Sequence, residues 1–82
     1  MYVHIGKDVV INSDNIISIL DIESLEKNKK LENILQNLKI SDNIIDVSDK
    51  NKKSLIILEK NNKIIGYITN ISSSTIAKRA SK

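Results

Sequence analysis

Ser54-Leu55-Ile56-Ile57-Leu58-Glu59-Lys60-Asn61-Asn62-Lys63-Ile64-Ile65-Gly66-Tyr67-Ile68-Thr69 is the stretch on which the fold turns. Two apolar, largely β-branched runs flank a polar link, and Lys60 to Lys63 has the composition of a turn. Ser54–Glu59 therefore reads as one strand and Ile64–Thr69 as its returning partner. Gly66 inside the second run signals a bulge or a close backbone approach. Leu55–Leu58 is the longest unbroken apolar run in the chain, far too short to cross a bilayer.

Upstream, the same period of two appears where Val3 and Ile5 alternate with Tyr2 and His4. Gly6-Lys7 then suits a type II′ link to Val9-Val10-Ile11, because glycine accepts a positive φ. Asn12–Asn15 is a turn cluster, and Ile16–Ile22 reads as a third strand. Ser24 is a candidate N-cap for a helix over Leu25–Lys39, with Leu31, Ile34, Leu35 and Leu38 forming one apolar stripe. Asn43–Val47 is a short strand. Downstream of the opening hairpin, Ser72-Ser73-Ser74 offers N-caps to a helix over Thr75–Ser81. The order β-β-β-α-β-β-β-α with short links predicts an α+β fold: a small antiparallel sheet, one central helix and a short C-terminal helix.

At 82 residues the chain, 1–82, is expected to form one domain near the small end of what a single core supports. Its apolar content is mostly isoleucine, and Tyr2 and Tyr67 are its only aromatic residues. Self-association is a natural way for such a core to gain stability. No cysteine is present, which excludes disulfides, thiolate metal sites and cysteine nucleophiles. The N-terminus reaches Asp8 without an apolar segment, so no secretory signal is read there and a cytoplasmic protein is expected.

Charge is distributed unevenly. Residues 1–49 hold five lysines against nine carboxylates, net −4, whereas residues 50–82 hold eight cations against Glu59 alone, net +7. The excess gathers in Lys50, Lys52 and Lys53 and again in Lys78, Arg79 and Lys82. Such a cationic third attracts a polyanion. With only two aromatics, backbone contacts to a duplex fit better than base stacking along a single strand. The serine-rich start of the last helix also offers backbone N–H groups to a phosphate. Isoleucine, lysine and asparagine together make up 39 of the 82 residues, so a compositional bias accounts for part of the lysine excess.

Catalytic constellations are missing from the sequence. His4 is the only histidine and lacks convergent partners; an ordinary sheet-surface side chain is the simpler reading. Asp42, Asp46 and Asp49 lack the spacing and central glycine of a calcium loop and read as turn caps. No phosphate-cradling glycine loop and no nucleophile elbow occurs. No enzyme activity, catalytic residue, metal or cofactor is expected.

The opening Met1-Tyr2-Val3-His4-Ile5-Gly6-Lys7-Asp8-Val9-Val10 with Ile17–Asp21, and the closing Ile71-Ser72-Ser73-Ser74-Thr75-Ile76-Ala77-Lys78-Arg79-Ala80, resemble the extracellular matrix regulatory proteins of the RemA/RemB type. The His-Ile-Gly start and the Ser-Ser-x-Thr-x-x-x-Arg ending are closest to the RemB branch. The resemblance implies a bacterial regulator of biofilm-matrix genes whose subunits pair and close into rings, with double-stranded DNA on a basic rim. It places the DNA-facing loop at Asn51 and Lys52 with their neighbours Lys50 and Lys53. A family pair of arginines is Asn51 and Lys52 here, and a further arginine is Ile16; lysine does not reproduce arginine's bidentate contacts.

The expectation is a homo-oligomeric, DNA-binding transcription regulator whose phosphate contacts are Lys50, Lys52, Lys53, Lys78 and Arg79, with no membrane and no small-molecule substrate. Its competitor is an oligomeric interaction module that never touches DNA, favoured by the missing arginines and the acidic first half.

Overall fold

The computed structural model describes residues 1–39 and 43–81. The opening stretch forms a hairpin of β5 (Ser54–Lys60) and β6 (Lys63–Thr69), closed by Asn61-Asn62 with both residues at positive φ (53° and 65°). Asparagine tolerates that conformation, which matches the right-handed twist of the strands. Two further strands flank the hairpin, β3 (Ile16–Asp21) antiparallel to β5 and β4 (Ile44–Asp46) beside β6, giving the order β3-β5-β6-β4. Leu55 and Ile57 pack on one face of this sheet, Ile56 and Leu58 on the other. The run of four apolar residues is thus a central strand covered on both sides. The β5–β6 ladder passes Gly66 without a register shift, so of the bulge and the close backbone approach read there, the bulge is absent.

One face is covered by helices. The expected single helix is two: α1 (Ile22–Lys27) and α2 (Leu31–Lys39). Asp21, not Ser24, is the N-cap of α1; its carboxylate accepts from the Ser24 N–H at 3.1 Å. The helix ends in a Schellman motif: the Lys30 N–H donates to the Leu25 carbonyl, the Lys29 N–H to that of Glu26, and Lys29 sits at φ 55°. The break lets Ile22 and Leu25 of α1 and Leu31, Ile34 and Leu35 of α2 all reach the sheet around Leu55 and Ile68. The Leu38 side chain of the expected stripe lies outside the described residues. Because the connection from β3 to β4 runs through helices across the sheet, β4 joins β6 in parallel, a departure from the all-antiparallel expectation. The α+β class and the order of elements stand.

The opposite face is covered by a separate ribbon of β1 (Tyr2–Gly6) and β2 (Val9–Asn12), together with α3 (Ser73–Ala80). Val3, Ile5, Ile11 and Ile76 close a core there over Ile56 and Leu58. The turn residues of the ribbon are Lys7-Asp8 rather than Gly6-Lys7. Gly6 instead belongs to a bulge that turns both Ile5 and Gly6 inward, at φ 135°. Serine caps α3 as expected, the Ser72 Oγ accepting from the Thr75 N–H, though the helix begins at Ser73.

Thr69 ties this layer to the sheet. Its buried hydroxyl donates to the Ile5 carbonyl and accepts from the Ile71 N–H at 3.2 Å. Thr69→Val keeps the shape and orphans both groups. It should lower stability by about 1–3 kcal/mol, read from the urea midpoint at unchanged slope.

Candidate nucleic-acid interface

The loop between β4 and β5 is held at both ends. At its start, Asp46 Oδ1 accepts from the Ser48 N–H at 2.8 Å and the Ser48 hydroxyl at 2.6 Å, and Ser48 is buried. The Lys50 N–H folds back onto the Ser48 carbonyl at 2.7 Å around Asp49, which is left-handed at φ 68°. At its end, the Lys53 N–H donates to Thr69 and the Lys53 carbonyl accepts from Ile22, both at 2.9 Å. Between these anchors Lys50, Asn51, Lys52 and Lys53 are exposed. A fixed backbone thus presents three ammonium groups, with Asp49 in the same turn.

Lys52 is not a free cation. Its Nζ lies 3.7 Å from Asp46 Oδ2, with both side chains about half exposed, so the attraction is weak but real competition for a phosphate. Hydrogen bonds from the Ser48 hydroxyl and N–H, then the charge of Lys52, hold the Asp46 carboxyl below its ordinary value, so it is ionised at neutral pH. Asp46 is the turn cap its sequence context predicts, for Ser48. The pairing with Lys52, six residues on, depends on how the loop folds back. Asp46→Asn keeps the acceptor for Ser48 and removes the charge. It should tighten binding to duplex DNA severalfold, measured by fluorescence anisotropy at low salt. Asp42, the third member of the carboxylate cluster, lies outside the described residues.

Lys78 and Arg79 occupy the last turn of α3 and are exposed. The Arg79 Nη1 donates to the His4 carbonyl at 3.0 Å, so the guanidinium also fastens α3 to β1. Lys82 lies outside the described residues. Ser72 Oγ already takes the Thr75 N–H at the start of α3, leaving fewer backbone donors for a phosphate than expected. His4 Nε2 lies 2.6 Å from the Lys7 carbonyl, an arrangement that requires a proton on that nitrogen and belongs to the hairpin turn.

The two basic clusters sit in different layers. Lys50, Asn51 and Lys52 line a groove with Ile22, Glu26 and Leu35, on the α1–α2 side of the sheet. Lys78 and Arg79 ride on α3, on the other side. The layers meet where the Ser54 hydroxyl donates to the Ile71 carbonyl at 2.7 Å, next to Lys53. No helix among the described residues is long and apolar enough to cross a membrane. No group of three or more His, Asp or Glu side chains among them is placed to hold a metal ion.

A family model described as RemA-like, Extracellular matrix regulatory protein A-like, matches residues 2–80. No curated protein matches the chain.

Proposed function

The chain belongs to the RemA-like family of extracellular matrix regulatory proteins, a family of regulators rather than enzymes, and from that premise we propose a RemB-type, homo-oligomeric regulator that binds duplex DNA. The observation that carries this reading is the Ser48–Lys53 loop: exposed lysines on a backbone pinned at both ends. A pinned loop loses little conformational freedom when it meets a phosphate. Each subunit supplies few contacts, and repetition of the loop around an oligomer multiplies them. Lys78 and Arg79 act as a second contact set reached by bent DNA or by a neighbouring subunit. Contacts of this kind read DNA shape more than base edges.

The test pairs gel retardation on A·T-rich duplex DNA with light scattering. A mass several times 9.2 kDa is expected, together with an affinity that falls steeply and linearly on a logarithmic salt axis. An oligomer that leaves DNA unshifted at low salt favours the interaction module. That second reading has its own support. Ile16, where the family resemblance expects an arginine, packs against the core around Leu58 and offers no cation.

A further inference from the structure

Tyr2 and Tyr67 are the only aromatic residues of the chain, 65 positions apart, and the fold brings them to one cleft. Its floor is the cross-strand pair Leu58 and Ile65 of the β5–β6 ladder, Leu58 itself only 3% exposed. Tyr67 is half-buried and packed on the core, whereas Tyr2 is 74% exposed. Lys60 stands at the rim, and no carboxylate among the described residues lines the cleft. Asn12 also lines it; its Oδ1 is taken by the Asp14 N–H, which leaves its amide NH2 as a donor. The enclosed volume is ≈ 170 Å³, close to the about 150 Å³ of a cavity that holds one benzene ring.

An apolar floor, two tyrosine rings, the side-chain amides of Asn12 and Asn15 and one ammonium group make a specific set. We propose that this cleft binds a planar heteroaromatic ring carrying an anionic group, the chemistry of a nucleotide. The ring enters over Leu58 and Ile65 and stacks on a tyrosine, the Asn12 amide meets an acceptor on its edge, and Lys60 meets the phosphate. Tyr2, whose side chain is exposed, covers the ring from the solvent side in this arrangement. Nucleotide chemistry reaches the cleft either as a free mononucleotide or as an unpaired base of a strand. The cleft is distinct from the Ser48–Lys53 loop, so the site stands or falls independently of duplex binding.

Two tyrosines in the whole chain make the test direct. In protein carrying ring-labelled tyrosine, adenosine monophosphate should shift the NMR signals of both rings saturably. Adenosine without the phosphate should bind more weakly. Tyr2→Ala, at an exposed position, should weaken binding at least about tenfold while the Tyr67 signal still reports it. Lys60→Gln should erase the preference for the monophosphate over the nucleoside. A short single-stranded oligoadenylate run in parallel identifies the source: tighter binding than the mononucleotide points to a strand, equal binding to the free nucleotide. No shift of either ring with mononucleotide or oligonucleotide at millimolar concentration overturns the proposal. So does binding that ignores Tyr2→Ala, or a Tyr2 signal that moves with protein concentration alone, which assigns the cleft to a second copy of the chain.

Discussion

Gly6→Ala should remove about 3–5 kcal/mol of stability, most of what a domain of this size possesses. Two effects combine. The backbone at Gly6 has φ 135°, a region that L side chains rarely enter. A Cβ built there would lie 2.9 Å from the Val47 carbonyl oxygen and 3.2 Å from Val47 Cγ2. The oxygen belongs to backbone, and Val47 is itself fixed by its N–H donating to Ile68 at 2.8 Å. Neither atom can yield cheaply. The substitution therefore pries the ribbon from the sheet at the point where Ile5 and Thr69 join them. Urea unfolding followed by circular dichroism should show a midpoint collapsed toward zero denaturant. A midpoint within 1 M of the parent would mean that the bulge relaxes freely.

Reversal of Lys52 and Lys53 together to Glu should weaken binding to duplex DNA about a hundredfold or more near 0.1 M salt. Each reversal removes a phosphate contact and adds a repulsion, and the loss repeats in every subunit of an oligomer. Both side chains are exposed, Lys53 serves the fold only through its backbone groups, and Lys52 gives up only the weak surface pair with Asp46. The melting curve should therefore stay near that of the parent, which separates lost binding from lost folding. The slope of log affinity against log salt should also flatten. An unchanged affinity in a folded double variant would remove the loop from the DNA-binding reading.

Much of the architecture was legible because it is written in short-range pattern. Leu55–Leu58 and Ile64–Thr69 announced a hairpin, and the Ser72–Ser74 run announced a capped α3 without fixing which serine caps it. Features that depend on one backbone dihedral were harder. The break between α1 and α2 rests on Lys29 in a left-handed conformation, with no glycine or proline to mark it. The Gly6 turn was misplaced by one residue, because a bulge and a type II′ turn both favour glycine. The parallel pairing of β4 is a long-range choice made by the helical crossover, invisible in local composition. The same division runs through the candidate interface. Exposure of Lys50–Lys53 followed from a polar turn, whereas the Asp46–Lys52 pair, the separation of the two basic clusters and the meeting of the tyrosines follow only from the packed layers.

The bond from Arg79 to His4 spans 75 residues, and that from Thr69 to Ile5 spans 64. During synthesis the β1–β2 ribbon leaves the ribosome before β5, β6 and α3, which supply the partners that cover Val3, Ile5 and Ile11. The sheet and its helical side can assemble earlier, since β3 to β6 carry their own core around Leu55 and Ile68. Folding of the domain therefore ends with strands made before their partners, in a late docking step across long sequence separations. A ribosome-stalled chain lacking α3 should expose its amino-terminal ribbon to chaperones and proteases, even while its hairpin of β5 and β6 is already formed.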